Sequence, residues 1–203
     1  HYWDTHVPYN PPKRYFEKFA TLRYENNQSI EKVRSQFDLD HKRYMDNRIM
    51  SGIKKVSEVL SRYDGAIAYV DHQLSRLIKA LEEHGILDNT LIVLTSDHGE
   101  SLTEHGIYFG HHELYDVTIH VPLILLYPRF LNGKRIRSFV QHIDLIPTLL
   151  DILGIKNIST FDGKSVVPLI NGEKKEFRTA VFVEEADTER KREPHPWATP
   201  STS

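Results

Sequence analysis

Between Tyr63 and His84 the apolar residues Ile67, Val70, Leu74, Leu77, Ile78 and Leu81 recur at three- and four-residue steps. That spacing places them on one face of a helix, and Gly85 supplies its C-terminal stop. The pattern then changes. Leu91 to Ser96 reads LIVLTS, a short apolar run suited to a buried strand, and Val121 to Pro128 reads VPLILLYP, a second one. These two runs are expected to be neighbouring buried strands, with the Tyr63 to His84 helix packed on a sheet face. Ser29 to Arg62 is charged and rich in helix formers, which predicts one or two exposed helices. Ile136 to Val140 predicts a short strand, and Asp144 to Leu153 a helix that starts near Pro147 and is stopped by Gly154. Strand and helix in alternation give an α/β domain with a mainly parallel sheet.

The ends of the chain read differently. His1 to Pro12 is aromatic, and prolines at 8, 11 and 12 exclude a regular helix or central strand there. The stretch after Asp187 is polar, with three prolines and many charges, and reads as a loop cut short. The expected organisation is a partial domain over 1–186 and a polar, truncated tail or loop over 187–203.

Composition narrows the function classes. The 203 residues suffice for one domain, and a net charge of -2 with no basic stripe excludes an obvious nucleic-acid surface. No apolar run is long enough to span a bilayer. Cysteine is absent, so disulfides and thiolate metal sites are excluded within the chain. Histidine is the unusual feature. There are 12, and His98, His105, His111, His112 and His120 fall close together.

The sharpest motif is Thr95-Ser96-Asp97-His98-Gly99-Glu100, at the carboxyl end of the LIVLT run. Ligands bind at that edge of α/β sheets because loops converge there. A carboxylate and an imidazole side by side suit a divalent metal, and Gly99 is expected to bend the backbone so that both converge. On these residues alone, a turn in which Asp97 caps the next segment is the commoner explanation.

The downstream context changes that balance. Asp97-His98-Gly99, Glu104-His105-Gly106, Gly110-His111, Tyr115-Asp116 and His120-Val121-Pro122-Leu123 follow in an order that closely resembles the sulfatase family of the alkaline phosphatase superfamily. Trp3-Asp4-Thr5-His6-Val7-Pro8-Tyr9 is similar to its Asp-x-His-x-Pro-Tyr segment. His142 to Leu150 resembles its Asp-hydrophobic-x-Pro-Thr-Leu helix, and Asp162-Gly163-Lys164-Ser165 its later turn.

The resemblance implies part of an alkaline-phosphatase-like three-layer sandwich and hydrolysis of sulfate esters, saccharide esters among them. Phosphodiester or phosphonate ester hydrolysis, or phosphoethanolamine transfer, is the alternative within the superfamily, and a non-catalytic anion- or partner-binding module the alternative outside it. It implies that Asp97 and His98 are metal ligands. It places His6 where a histidine faces the transferred group, and His111 where many members carry a lysine. Both are the catalytic candidates, and both are expected near Asp97 and His98. The implied ion is calcium by family habit, with His98 favouring manganese or zinc because calcium prefers oxygen. The family's nucleophile, in a Cys/Ser-x-Pro-x-Arg segment, and its first acidic metal pair are expected upstream of His1, which makes the chain a fragment.

Plainer roles are expected elsewhere. His105 and His112 read as surface or supporting residues, Glu100 and Glu104 as loop caps or solvent-facing, and Tyr115 and Asp116 as scaffold. His120 reads as the start of a strand, Asp144 as a helix cap, and Trp3 and Tyr9 as buried aromatics more readily than a cleft lining.

Overall fold

The structure is a computed structural model that describes residues 1–22, 24, 28–37, 39–111, 113–156 and 160–184. His112 and the 187–203 tail lie outside the described residues. The chain divides into two compact units, one of His1–His111 with Asp116–Arg137 and the other of His112–Tyr115 with Ser138–Ser203.

The first unit is organised by one long helix. After the short helices α1 (Lys13–Phe16), α2 (Ile30–Arg34) and α3 (Leu39–Met45), the last continued by a π-turn over Asp46–Met50, comes α4 (Val56–Glu83). The Glu58 carboxylate accepts from the backbone N–H of Lys54 and Lys55, which satisfies donors left open at the start of α4. At the other end Gly85 takes φ 67°, and Ile86 N–H donates to the Leu81 carbonyl in a Schellman closure. The helix starts seven residues before the periodic stretch read from the sequence, because Val56, Val59 and Leu60 extend its buried face.

Those three residues belong to the core, together with Val7, Tyr9, Ile30, Val33, Met45, Ile49, Ile53 and Phe109. The core therefore joins the N-terminal segment, the start of α4 and the loop that ends at His111. Burial of this kind contributes roughly 1.5–3 kcal/mol per large apolar side chain, so the positions of Tyr9 and Phe109 are well determined.

The strand expectations are met in place and altered in detail. β1 (Ile92–Thr95) and β2 (Leu123–Leu126) pair as neighbours, with Ile92 opposite Leu126 and Thr95 opposite Leu123. The pairing is antiparallel, and it is the one sheet among the described residues. The strands are half-covered, and Leu123 and Ile124 are exposed. The α4 stripe is not covered by this sheet. Ile67 and Leu77 are 46% and 48% exposed, and α4 packs chiefly on α1. Length explains this: a strand of four residues runs about 13 Å, against about 42 Å for a helix of 28. Ile136–Val140 forms no strand.

A short helix α5 (Asp116–Ile119) precedes β2. Gly99 lies against it: its N–H donates to the Thr118 carbonyl at 2.8 Å, and a Cβ there would stand 2.1 Å from the Val117 carbonyl oxygen. Gly99 thus serves close approach, not the sharp bend expected from the sequence.

In the second unit a turn at His142–Asp144 leads into α6 (Leu145–Ile152), and α7 (Val167–Ile170) follows. Asp144 is 2% exposed. Its carboxylate accepts from the backbone N–H of Gln141 and of Lys164, both at 2.9 Å, and pairs with the Arg178 guanidinium. It does more than cap: it ties three segments of its unit together. Among the described residues no helix is long and apolar enough to cross a membrane.

Candidate active site

Two chain reversals bring the site together. Near the N-terminus His6 N–H donates to the Trp3 carbonyl at 3.0 Å, and Val7 and Tyr9 enter the core behind that turn. In the loop after β1, Ser101 and Gly110 exchange backbone hydrogen bonds of 2.8 and 3.2 Å. This closes the loop on itself and returns the chain to where it left β1. Phe109, with φ 58°, is buried in the core next to that closure. A left-handed backbone at a bulky residue is unfavourable by about 1–3 kcal/mol, and burial of the ring offsets it. His111 is thereby set beside His98.

The result is a cluster of His6, His98 and His111, in which one nitrogen from each ring lies within 4.8 Å of the others. The rings of His98 and His111 stack, while His6 stands 6.0 Å from the first and 5.7 Å from the second, centroid to centroid. His6 Nδ1 is 2.8 Å from the Val7 carbonyl and His98 Nδ1 is 2.7 Å from the Gly99 carbonyl. A carbonyl only accepts, so both Nδ1 atoms carry hydrogen and both Nε2 atoms are left as the reactive nitrogens. That arrangement, with the rear nitrogen held by an acceptor, is the one metal-binding histidines show.

Asp97 stands at the rim with its side chain 82% exposed, its Oδ1 3.8 Å from His98 Nε2. Donors that share one small divalent ion at ~2.1 Å lie about 3–3.5 Å apart, so Asp97 and His98 fit a shared cation with a small side-chain rotation. A donor set of imidazole nitrogens with one carboxylate suits zinc or manganese better than calcium.

Behind the histidines lies a residue that sequence reasoning misjudged. Glu100, expected at the surface or as a cap, has a side chain only 4% exposed, and its Oε1 is 3.8 Å from His111 Nδ1. Burial pushes its carboxyl up to about 7, and His98 and the Tyr9 hydroxyl pull it back. Tyr9 is pushed well up by burial first and by Glu100 next. No hydropathy pattern marks Glu100, because a carboxylate next to a glycine looks like loop. Glu104 does act as a cap, accepting from Leu102 and Thr103 N–H at 2.8 and 2.9 Å.

The remaining candidates differ in burial. His105 and His120 are exposed, as are Tyr115 and Asp116. Tyr9 is buried as expected, whereas Trp3 is 59% exposed, its ring centroid 4.4 Å from that of His6. An aromatic face therefore flanks the cluster on its open side.

Comparison with known proteins agrees with the motif reading. A family model described as Sulfatase matches residues 1–155. An arylsulfatase of Clostridium perfringens is 30% identical over 81% of this chain and 35% of its own length. An N-acetylglucosamine-6-O-sulfatase of Bacteroides thetaiotaomicron is 35% identical over 60% of this chain and 22% of its own, and arylsulfatase K of Xenopus laevis is 33% identical over 58% and 22%. Among solved structures, a phosphonate monoester hydrolase from Silicibacter pomeroyi superposes with a TM-score of 0.65 at 27% identity, covering 87% of this chain and 37% of that one. A 2-O GAG sulfatase superposes with a TM-score of 0.51 at 28% identity, covering 59% and 27%. The chain thus spans roughly a fifth to a third of the curated relatives it matches, and its fold is that of these hydrolases.

Proposed function

This chain belongs to the sulfatase family, and from that premise we propose that the whole protein hydrolyses sulfate esters with His6, His98, His111 and Asp97 at its active site. The observation that supports this most is the convergence of His6 with His98 and His111, which lie more than 90 residues further along the chain.

In this reading Asp97 and His98 hold a divalent ion. When bound, that ion supplies Lewis-acid stabilisation of charge on the ester oxygens. His6 directs Nε2 at the transferred sulfuryl group and offsets its negative charge. The attacking oxygen, expected from the family's cysteine- or serine-bearing segment, forms a bond to sulfur as the bond from sulfur to the ester oxygen breaks. The departing oxygen takes a proton from the His111 imidazole. Trp3 offers its exposed face to the organic part of the ester, which suits an aryl or saccharide leaving group. The full sheet in this reading is mainly parallel and lies within a three-layer sandwich, with β1 and β2 as part of it.

A second reading keeps the site and changes the substrate to a phosphonate or phosphate ester. Its support is the broad superposition on the phosphonate monoester hydrolase. The first reading is favoured by sulfatase relatives at 30–35% identity.

Kinetics of the whole protein test the roles. His111→Ala is expected to slow esters with poor leaving groups, such as sugar sulfates, about 10- to 100-fold more than 4-nitrophenyl sulfate, because only the former need a proton on the departing oxygen. Equal losses on both would remove His111 as the acid.

A further inference from the structure

We infer that Glu100 is the positioning residue for His111, aligning its Nε2 with those of His6 and His98. This rests on the reading of His111 as a site residue and adds a residue to it.

Three observations lead there. Each histidine of the cluster has an acceptor on its rear side, hydrogen-bonded in His6 and His98 and at ion-pair distance in His111. His6 Nδ1 faces the Val7 carbonyl and His98 Nδ1 faces the Gly99 carbonyl, at 2.8 and 2.7 Å. For His111 the acceptor facing Nδ1 is Glu100 Oε1, at 3.8 Å. That separation is an ion-pair distance, roughly 1 Å longer than a hydrogen bond. The second observation is burial. A side chain that is 4% exposed holds a carboxylate whose Oε1 makes no hydrogen bond among the described residues. Leaving such an acceptor unmet costs about 1–3 kcal/mol, more for a charged group, and the groups that can offset it are the Tyr9 hydroxyl and the His111 ring.

The third observation is linkage along the chain. Glu100 follows Gly99, whose carbonyl holds His98 and whose N–H is held by Thr118. Ser101 follows it, and its hydrogen bonds to Gly110 set the position of His111. The residues that orient two of the three histidines are therefore consecutive, and Glu100 is registered to its target from both sides. A carboxylate behind Nδ1 keeps the hydrogen on that nitrogen and leaves Nε2 as the reactive atom.

The test uses the whole protein with Glu100→Leu and Glu100→Gln. Leucine removes the acceptor and fills the buried space, whereas glutamine keeps an acceptor oxygen at similar volume. Imidazole 15N spectra at pH 8 report which nitrogen of His111 carries hydrogen. Wild type and Glu100→Gln are expected to hold His111 with hydrogen on Nδ1, and Glu100→Leu to give a mixture of the two forms. In Glu100→Leu, kcat is expected to fall about 10- to 100-fold, as for loss of a residue supporting a site histidine. KM is expected to move less than about threefold, and Glu100→Gln to recover most of kcat. The melting temperature of Glu100→Leu is expected to hold or rise, since an apolar residue replaces a buried carboxylate. An unchanged His111 form in Glu100→Leu overturns the inference, as does a kcat loss matched by a lower melting temperature. The spectra decide the matter even if the protein does not turn over sulfate esters, so failure of the substrate reading is seen separately.

Discussion

The imidazoles of His98 and His111 lie face to face, with ring centroids 3.8 Å apart and planes 18° from parallel. Residues this close are energetically coupled, by about 0.5–3 kcal/mol in general. In the proposed function His98 holds the ion and His111 does not, so His111 should affect metal affinity only through its contact with His98. We expect zinc binding, measured by competition with a chromophoric chelator, to weaken about 10- to 100-fold in His98→Ala. Adding His111→Ala is expected to cost less than its separate effect. Strict additivity in that cycle would show that the two rings act independently.

Gly99→Ala tests the anchoring of the loop after β1. A Cβ at Gly99 would stand 2.1 Å from the Val117 carbonyl oxygen, so the loop or α5 must shift. Overpacking of this kind costs about 1–3 kcal/mol, and the shift moves His98. Denaturant unfolding of the whole protein should show that loss, with zinc affinity falling alongside it. Unaltered stability and affinity would mean that the loop has slack at this point.

Asp144→Ala tests the second unit. The substitution leaves Arg178 without its carboxylate and opens the N–H groups of Gln141 and Lys164. Breaking one side of a buried ion pair costs about 3–5 kcal/mol. The expected reading is a lower denaturant midpoint, with Asp144→Asn less affected because its amide oxygen still accepts from one of the two N–H groups. Equal midpoints for wild type and Asp144→Ala would contradict the role assigned to Asp144.

Glu104 carries a pH prediction. Burial raises its carboxyl, but the backbone N–H groups of Thr103, Glu104 and Leu102 and the charge of His105 outweigh that and hold it below the ordinary range. A depressed acid stabilises the fold above its unfolded pKa, and that contribution is lost as pH falls through the folded value. Stability should thus decline below about pH 4.5, and Glu104→Gln should flatten part of that decline. A slope unchanged in Glu104→Gln would remove Glu104 as a contributor.

Legibility in the sequence followed physical range. The α4 helix was readable because its apolar spacing is local, although its first seven residues blended into a charged stretch. β1 and β2 were readable as apolar runs. Their antiparallel pairing was not, because strand direction is set by partners distant in sequence and an apolar run looks the same in either direction. Ile136–Val140 has apolar residues at 136, 139 and 140, yet finds no partner strand among the described residues. In the site, His6, His98 and His111 were legible through motif order. Glu100 was missed because its burial arises from the folding back of Ser101 onto Gly110, which no local pattern encodes. Trp3 was misread for the opposite reason: an aromatic beside prolines suggests a core, but the turn from Trp3 to His6 leaves the indole outside.

The central claim is tested most directly by the substrate preference of the whole protein and its dependence on His98. The measurement is kcat/KM for 4-nitrophenyl sulfate and for 4-nitrophenyl phenylphosphonate, with zinc or manganese supplied, in wild type and His98→Ala. The account predicts at least about tenfold preference for the sulfate ester and a loss of about 100-fold or more in His98→Ala, as removal of charge stabilisation at a reacting group generally brings. Preference for the phosphonate, or near-normal sulfate hydrolysis by His98→Ala, would contradict it.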